Sequence, residues 1–98
     1  MHTTIWKFSL LATDDQTVEV PVNARPLAVQ IQRDKFMEVP TLWCLVDPKA
    51  EKQTTRICMV GTGHLIEPSI LATMEYLGTI QLMGDQLVLH VFGSFPKT

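Results

Sequence analysis

The sequence YLGTIQLMGDQLVLHVF, residues 76–92, contains two alternating apolar runs joined by Gly84-Asp85. A two-residue β-hairpin turn of type II′ needs positive φ at its first central position, which glycine supplies. Because the turn sets the register, we expect paired residues that alternate between the two faces of a hairpin. The expected pairs are Met83 with Gln86, Leu82 with Leu87, Ile80 with Leu89, Gly78 with Val91, Gln81 with Val88, and Thr79 with His90.

The same period of two recurs along the rest of the chain. It appears at residues 5–11, 17–22 and 27–32, with turn residues between the runs, and further strands are expected at residues 41–46 and 55–60. One short helix is expected over Pro68–Met74, because proline suits the first helical turn and Ile70, Leu71 and Met74 share one apolar side at i, i+1, i+4 spacing. We therefore predict a small all-β domain over residues 1–98, an antiparallel β-sandwich or open barrel of about seven or eight short strands with one short helix.

Several strands can be placed more closely. Pro21 lacks the N–H that a central strand needs, so residues 17–22 are expected to be an edge strand or a strand end. Residues 41–46 are apolar on both faces and are expected to be central. If they form a hairpin with residues 55–60, Cys44 lies near enough to Cys58 for a disulfide, but buried reduced thiols are expected. The expected core includes Trp6, Phe8, Val29, Trp43, Ile80 and Leu89.

Composition excludes several classes of protein. The chain has 98 residues, 46% of them apolar, and a formal net charge of −2. This balance disfavours a nucleic-acid-binding surface. The chain shows neither a signal peptide nor an apolar run of membrane-spanning length. With only two cysteines, an intracellular protein with reduced thiols is expected.

The motif Gly61-Thr62-Gly63-His64 is the candidate ligand-binding site. Paired glycines let backbone amides approach a ligand, and a histidine can donate, accept or bind metal. The structural alternative is a tight chain reversal after a strand. A phosphate loop would need more glycines, a lysine and a following helix.

No complete catalytic or metal motif is present, so we expect no enzyme, cofactor or metal. His2, His64 and His90 lack the spacing of metal ligands. Cys44 sits in an apolar run that favours an inert thiol. Basic residues are concentrated between residues 25 and 56. They either form a rim for an anionic nucleotide or belong to an ordinary mixed surface.

Whole segments of the chain resemble a family of short uncharacterised proteins from tailed phages and prophages. The matching segments are Thr4–Phe8, Leu42–Pro48, Gly61–His64, Tyr76–Thr79 and His90–Phe92. Residues 33–39 and 66–75 look longer than the usual connectors of that family. These two segments are the candidate partner-binding regions, with Arg33, Lys35, Phe36, Met37, Ile70 and Leu71 as the residues expected to contact a partner.

The resemblance implies a phage accessory protein that acts by binding in the host cytoplasm. We expect it to inhibit a host protein, such as a CRISPR component or another anti-phage defence factor, as a homo-oligomer that uses exposed edge strands and the loops near Phe36 and Ile70. The alternatives are a sponge for an anionic nucleotide signal around Gly61–His64 and a minor virion component.

Overall fold

Strands make up most of the chain in the computed structural model, which describes residues 2–96. The bounds of the elements are β1 Thr4–Ser9, β2 Asp15–Pro21, β3 Arg25–Arg33, β4 Glu38–Val46, β5 Lys52–Gly61, α1 Pro68–Thr73, β6 Glu75–Leu82 and β7 Leu87–Gly93. The all-β prediction is confirmed. Met1, Lys97 and Thr98 of the expected domain lie outside the described residues.

The strands form two antiparallel sheets. Sheet A has the order β1-β4-β3, and sheet B has the order β2-β5-β7-β6. One face of each sheet contributes to a common core, and neither sheet closes on itself as a barrel. The buried core residues are Leu10, Val20, Ala24, Val29, Leu42, Cys44, Val46, Ile57, Met59, Ile80, Leu82, Val91 and Phe95.

The predicted β6–β7 register is confirmed. Leu82 pairs with Leu87, and the pairing continues without slip as far as Gly78 opposite Val91. The predicted turn type is wrong. Gly84 has a φ of 63° and Asp85 a φ of 69°, so both central residues lie in the left-handed region, as in a type I′ turn. The register is unaffected because both turn types join their strands through two residues.

Strand β6 lies beside β3 at the open edges of the two sheets. The pairing of β6 with β7 shifts between Tyr76 and Gly78, and Gly78 has a φ of 155°. A Cβ at Gly78 would lie 2.7 Å from Val29 Cγ1. Glycine is therefore required here both by the backbone conformation and by the close approach of β3.

Strand β4 is central in sheet A, as predicted, but it begins at Glu38 and passes through Pro40. The Pro40 carbonyl accepts a hydrogen bond from the Leu10 amide at 2.8 Å. In a strand, the N–H and C=O of one residue point to the same side. The missing donor of Pro40 therefore faces Leu10, just beyond the end of β1 at Ser9, so the proline leaves out one bond at the end of the β1–β4 ladder and none toward β3.

The hairpin considered between β4 and β5 does not form. Strand β4 pairs with β1 on one side and β3 on the other, which leaves no side for β5. Residues 47–51 instead carry the chain from sheet A to sheet B, and the Asp47 carboxylate accepts the Lys49 amide at 2.9 Å in that turn. Cys44 and Cys58 are both free and lie in separate hydrophobic clusters.

Trp43 is not part of the shared core. It lies on the outer face of sheet A and is half-buried there. Alternate side chains of a strand point to opposite faces, and that of Trp43 points away from sheet B. The Lys7 ammonium lies 5.8 Å from the Trp43 ring centroid and donates to the Gln32 side chain at 3.0 Å. Of the other expected core residues, Val29 and Ile80 are buried, and Trp6, Phe8 and Leu89 are partly buried against the core.

Helix α1 covers part of the outer face of sheet B. Ile70 packs with Cys58 and Phe92 in a second hydrophobic cluster, to which Met74 adds a partly buried side chain. Leu71 is 61% exposed, although we predicted that it shares the apolar side of the helix. Among residues 2–96, no helix has the length and apolar character needed to cross a membrane.

The close approach of β3 and β6 makes Gly78→Ala a sensitive test of the fold. We expect this variant to lose about 2–4 kcal/mol of unfolding free energy, through backbone strain and a clash with Val29. Gly84→Ala is the matched control, because Gly84 also has positive φ but has no neighbouring atom within 4 Å of an added Cβ. The control should lose only about 1–2 kcal/mol. Equal losses in urea unfolding would contradict the β3–β6 contact.

Candidate functional site

The Gly61–His64 motif forms a tight turn at the end of β5. The His64 amide donates to the Gly61 carbonyl at 3.1 Å, and Gly63 has a φ of 85°. The His64 ring stands over Gly61, where an added Cβ would lie 3.1 Å from His64 Nδ1. The turn therefore reverses the chain, as the structural interpretation requires, and it also places Thr62 and His64 at the rim of a surface depression.

Arg56 lines a second depression together with Gly61 and His64, and it is the one Lys or Arg among the described residues of that lining. Arg56 already makes two hydrogen bonds to Asp15, from Nε at 3.0 Å and from Nη2 at 3.0 Å. The hydrogen bond from Arg56 lowers the pKa of Asp15. Glu67 also lines this depression. The guanidinium is thus already paired, in acidic surroundings that disfavour a phosphate.

The two thiols are held in their protonated form. Burial raises the pKa of Cys44 to about 12. Burial is also the main cause that raises the pKa of Cys58, whose Sγ donates to the Asp15 carboxylate at 3.7 Å. Because the thiolate is the nucleophilic form, this arrangement favours a structural role for both cysteines.

A row of hydrogen-bonded side chains lies on the outer face of sheet B beside the turn. Thr62 Oγ1 is 2.7 Å from His90 Nε2, and Thr79 Oγ1 is 2.9 Å from His90 Nδ1. The Tyr76 hydroxyl is 2.5 Å from Thr79 Oγ1 and extends the row. We call these four residues the His90 row. Within residues 2–96, no group of three or more His, Cys, Asp or Glu side chains is arranged to hold a metal.

Only part of the His90 row could be found from the sequence. The hairpin register places Thr79 opposite His90, and this pair is confirmed. Thr62 reaches His90 because β5 pairs with β7, with Val60 opposite His90. That pairing joins strands distant in sequence, and no local pattern specifies it.

A second candidate surface lies at the tip of the β3–β4 hairpin. Phe36 is 92% exposed and Met37 is 60% exposed. The loop is held by the Asp34 amide, which donates to the Met37 carbonyl at 3.1 Å, and by the Asp34 carboxylate, which accepts the Phe36 amide at 3.1 Å. Lys35 is exposed in the same loop. The apolar side chains therefore project from an ordered turn.

Glu38 joins this loop to the neighbouring hairpin. One carboxylate oxygen accepts from Arg33 Nε at 3.1 Å, and the other accepts the Met83 amide at 2.8 Å. Met83 is 63% exposed at the tip of the β6–β7 hairpin. Phe36, Met37 and Met83 thus belong to two linked hairpin tips, which we call the tip surface.

The structure separates the predicted partner-binding residues. Arg33, Lys35, Phe36 and Met37 lie in or beside the β3–β4 loop. Ile70 is only 8% exposed and faces the second hydrophobic cluster, so it cannot serve as an exposed contact. Leu71 is the residue of the predicted helical pair that faces solvent. Sequence reasoning missed Met83, because its position beside Glu38 depends on packing between the two sheets.

Comparison with known proteins adds one finding. A family model described as "Domain of unknown function (DUF7352)" matches residues 1–97. The chain belongs to the DUF7352 family. No curated protein and no solved structure matches it. The match spans the Gly61–His64 turn, the His90 row and the tip surface, so all three lie within the DUF7352 domain.

The pairing of Arg56 with Asp15 in this DUF7352 domain can be tested by titration. Arg56→Gln removes the charged donor, so the pKa of Asp15 should rise toward its ordinary value. The measurement is the carboxyl carbon shift of Asp15 against pH by NMR. A depressed folded pKa stabilises the fold above the unfolded pKa of about 3.9, and this contribution disappears as the pH falls through the folded value.

Arg25→Gln is the control, because Arg25 lies in β3 of sheet A and should leave the titration of Asp15 unchanged. An unchanged Asp15 titration in Arg56→Gln would show that Arg56 is not held by Asp15 in solution.

Proposed function

We propose that this chain is a non-catalytic binding protein that contacts a partner protein through the tip surface. The observation that carries the proposal is the 92% exposure of Phe36 on an ordered hairpin loop. Large apolar side chains grouped on a surface are typical of interaction sites. Aromatic residues that insert into a partner's pocket commonly supply most of the binding energy of an interface.

The hydrogen bonds that hold the tip surface in one conformation support this role. Binding costs free energy when a mobile loop must first become fixed, and a loop already held in place lowers that cost. Asp34 fixes the turn from within, and Glu38 ties it to the β6–β7 hairpin. The apolar contacts are therefore presented before a partner arrives.

The surroundings of the tip surface favour a protein partner. The charged residues next to it are of both signs, with Arg33, Asp34, Lys35 and Asp85 nearby in the two hairpins. A mixed polar rim around apolar anchors is the usual composition of a protein interface. A surface that binds a phosphate backbone would instead need an excess of positive charge.

The narrower part of the proposal is a phage or prophage accessory protein that inhibits a host defence component in the host cytoplasm. The resemblance of five segments to short phage proteins supports this part. A small binding domain that masks a functional surface of a host protein fits such a role. The nucleotide sponge has less support, because Arg56 is already paired with Asp15.

The tip surface can be tested with Phe36→Ala and a matched control. Leu65→Ala removes an apolar side chain that is 98% exposed but lies in the β5–α1 loop. Tagged wild-type protein and both variants are used for pull-downs from a lysate of the host cell. We expect one protein to be recovered with wild type and Leu65→Ala, and to be lost with Phe36→Ala.

The affinity of the recovered partner is then measured directly. Truncation of a central anchor costs about 2 kcal/mol or more, which weakens binding by about 30-fold. Equal binding of wild type and Phe36→Ala would refute the role of the tip surface. Co-purification with phage particles through other residues would favour the virion alternative.

A further inference from the structure

The outer face of sheet B carries a shallow depression beside helix α1. Its volume is about 450 Å³, within the range of about 300–1,000 Å³ found for small-ligand sites. The His90 row forms its polar part, and the Gly61–His64 turn forms one rim. The proposed tip surface does not include this region.

The lining of this depression is uncharged apart from its two imidazoles. Among the described residues that line it there is no Asp, Glu, Lys or Arg. A strongly charged ligand would lose hydration here without gaining an opposite charge. The lining therefore favours a neutral ligand.

The hydrogen bonds of the His90 row determine which donors and acceptors that ligand must carry. With a neutral imidazole, the row has four polar hydrogens, one each on Tyr76, Thr79, His90 and Thr62. Three of these hydrogens are used in the three hydrogen bonds of the row. One hydrogen is left at one end of the row, and an accepting oxygen is left at the other end.

The tautomer of His90 decides which end donates. When Nε2 carries the hydrogen, Thr62 accepts from His90 and its own hydroxyl donates outward, while the Tyr76 oxygen accepts. When Nδ1 carries the hydrogen, Thr62 donates to Nε2 and Thr79 accepts from Nδ1, and the order reverses along the whole row when Thr79 in turn donates to Tyr76. A ligand group that can both donate and accept satisfies either arrangement, and a neutral hydroxyl is such a group.

Tyr76 supplies the apolar contact. Its ring is 55% exposed and is held edge-on against Phe92, with ring centroids 5.6 Å apart. An aromatic side chain with an apolar face and a polar tip can pack against a ring whose edges carry hydroxyls. Tyr76 thus combines a packing face with one end of the His90 row.

We propose that this depression is a binding site for a neutral sugar ring, with the ring packed on Tyr76 and its hydroxyls hydrogen-bonded to the ends of the His90 row. Shallow sites that rely on a few hydroxyl hydrogen bonds bind weakly, so millimolar dissociation constants are expected. This site is independent of the protein partner proposed for the tip surface.

The test is an NMR titration of the ¹⁵N-labelled chain with glucose, galactose and N-acetylglucosamine, each tested separately. At least one sugar should produce saturable shifts centred on the amides of Thr62, Tyr76, Thr79 and His90. Thr62→Val removes one end of the row while keeping the shape of the side chain. It should weaken binding by about tenfold, as expected for the loss of one hydrogen bond.

Two further variants test whether Tyr76 contributes to sugar binding and whether binding is confined to the residues that line the depression. Tyr76→Ala should abolish the shifts, whereas Gln81→Ala should bind like wild type, because Gln81 is exposed on β6 but does not line the depression. The spectrum of each variant without sugar verifies that it is folded. No saturable shift with any of the three sugars, or equal binding by wild type and Thr62→Val, would overturn the proposal. Stronger binding of inorganic phosphate at the same amides would also overturn it.

Discussion

The close approach of Gly78 to Val29 is the contact on which the arrangement of the two sheets depends. Each sheet buries one face against the other, and this contact brings the open edge of β6 beside the open edge of β3. No hydrogen-bonded ladder joins these two strands, so the seam depends on packing. A side chain at position 78 would push the two edges apart.

The candidate sites follow from this arrangement. Because β3 and β6 lie side by side, their hairpins end near one another, and Glu38 can accept the Met83 amide across the gap. On the other side of sheet B, a helix of only six residues covers part of the outer face. The uncovered part holds the His90 row, whose groups come from β6, β7 and the turn after β5.

The sequence predicts the local features of this fold well. The β6–β7 register follows from a two-residue turn, and the helix follows from Pro68 and the apolar spacing after it. Pro21 correctly marks an edge strand, since a missing donor has a direct local consequence. The sequence specifies the type of this turn less well. Asp85 adopts the left-handed conformation that we expected only at Gly84, and Asp tolerates that conformation better than most residues do.

Features that depend on distant strands could not be predicted in the same way. The apolar character of β4 indicates that it is central, but it does not specify its partners, and β5, which was considered as a hairpin partner, is not one of them. Trp43 is a large apolar residue of the kind usually found in a core, yet its position on β4 places its side chain on the outer face of the sheet. The sequence singled out Phe36 and Thr62 as candidate contacts, whereas the position of Met83 beside Glu38 and the contact of Thr62 with His90 depend on pairing and packing between strands.

The most direct test of this account is the nuclear Overhauser contact between the Val29 methyl groups and the Gly78 α protons. It reports on the β3–β6 seam that aligns the two hairpins. The structure predicts a strong cross peak. One α proton of Gly78 points in the direction that a Cβ would take, and a Cβ placed there would lie 2.7 Å from Val29 Cγ1. A spectrum in which Val29 contacts only its neighbours in sheet A, with no cross peak to Gly78, would contradict the account.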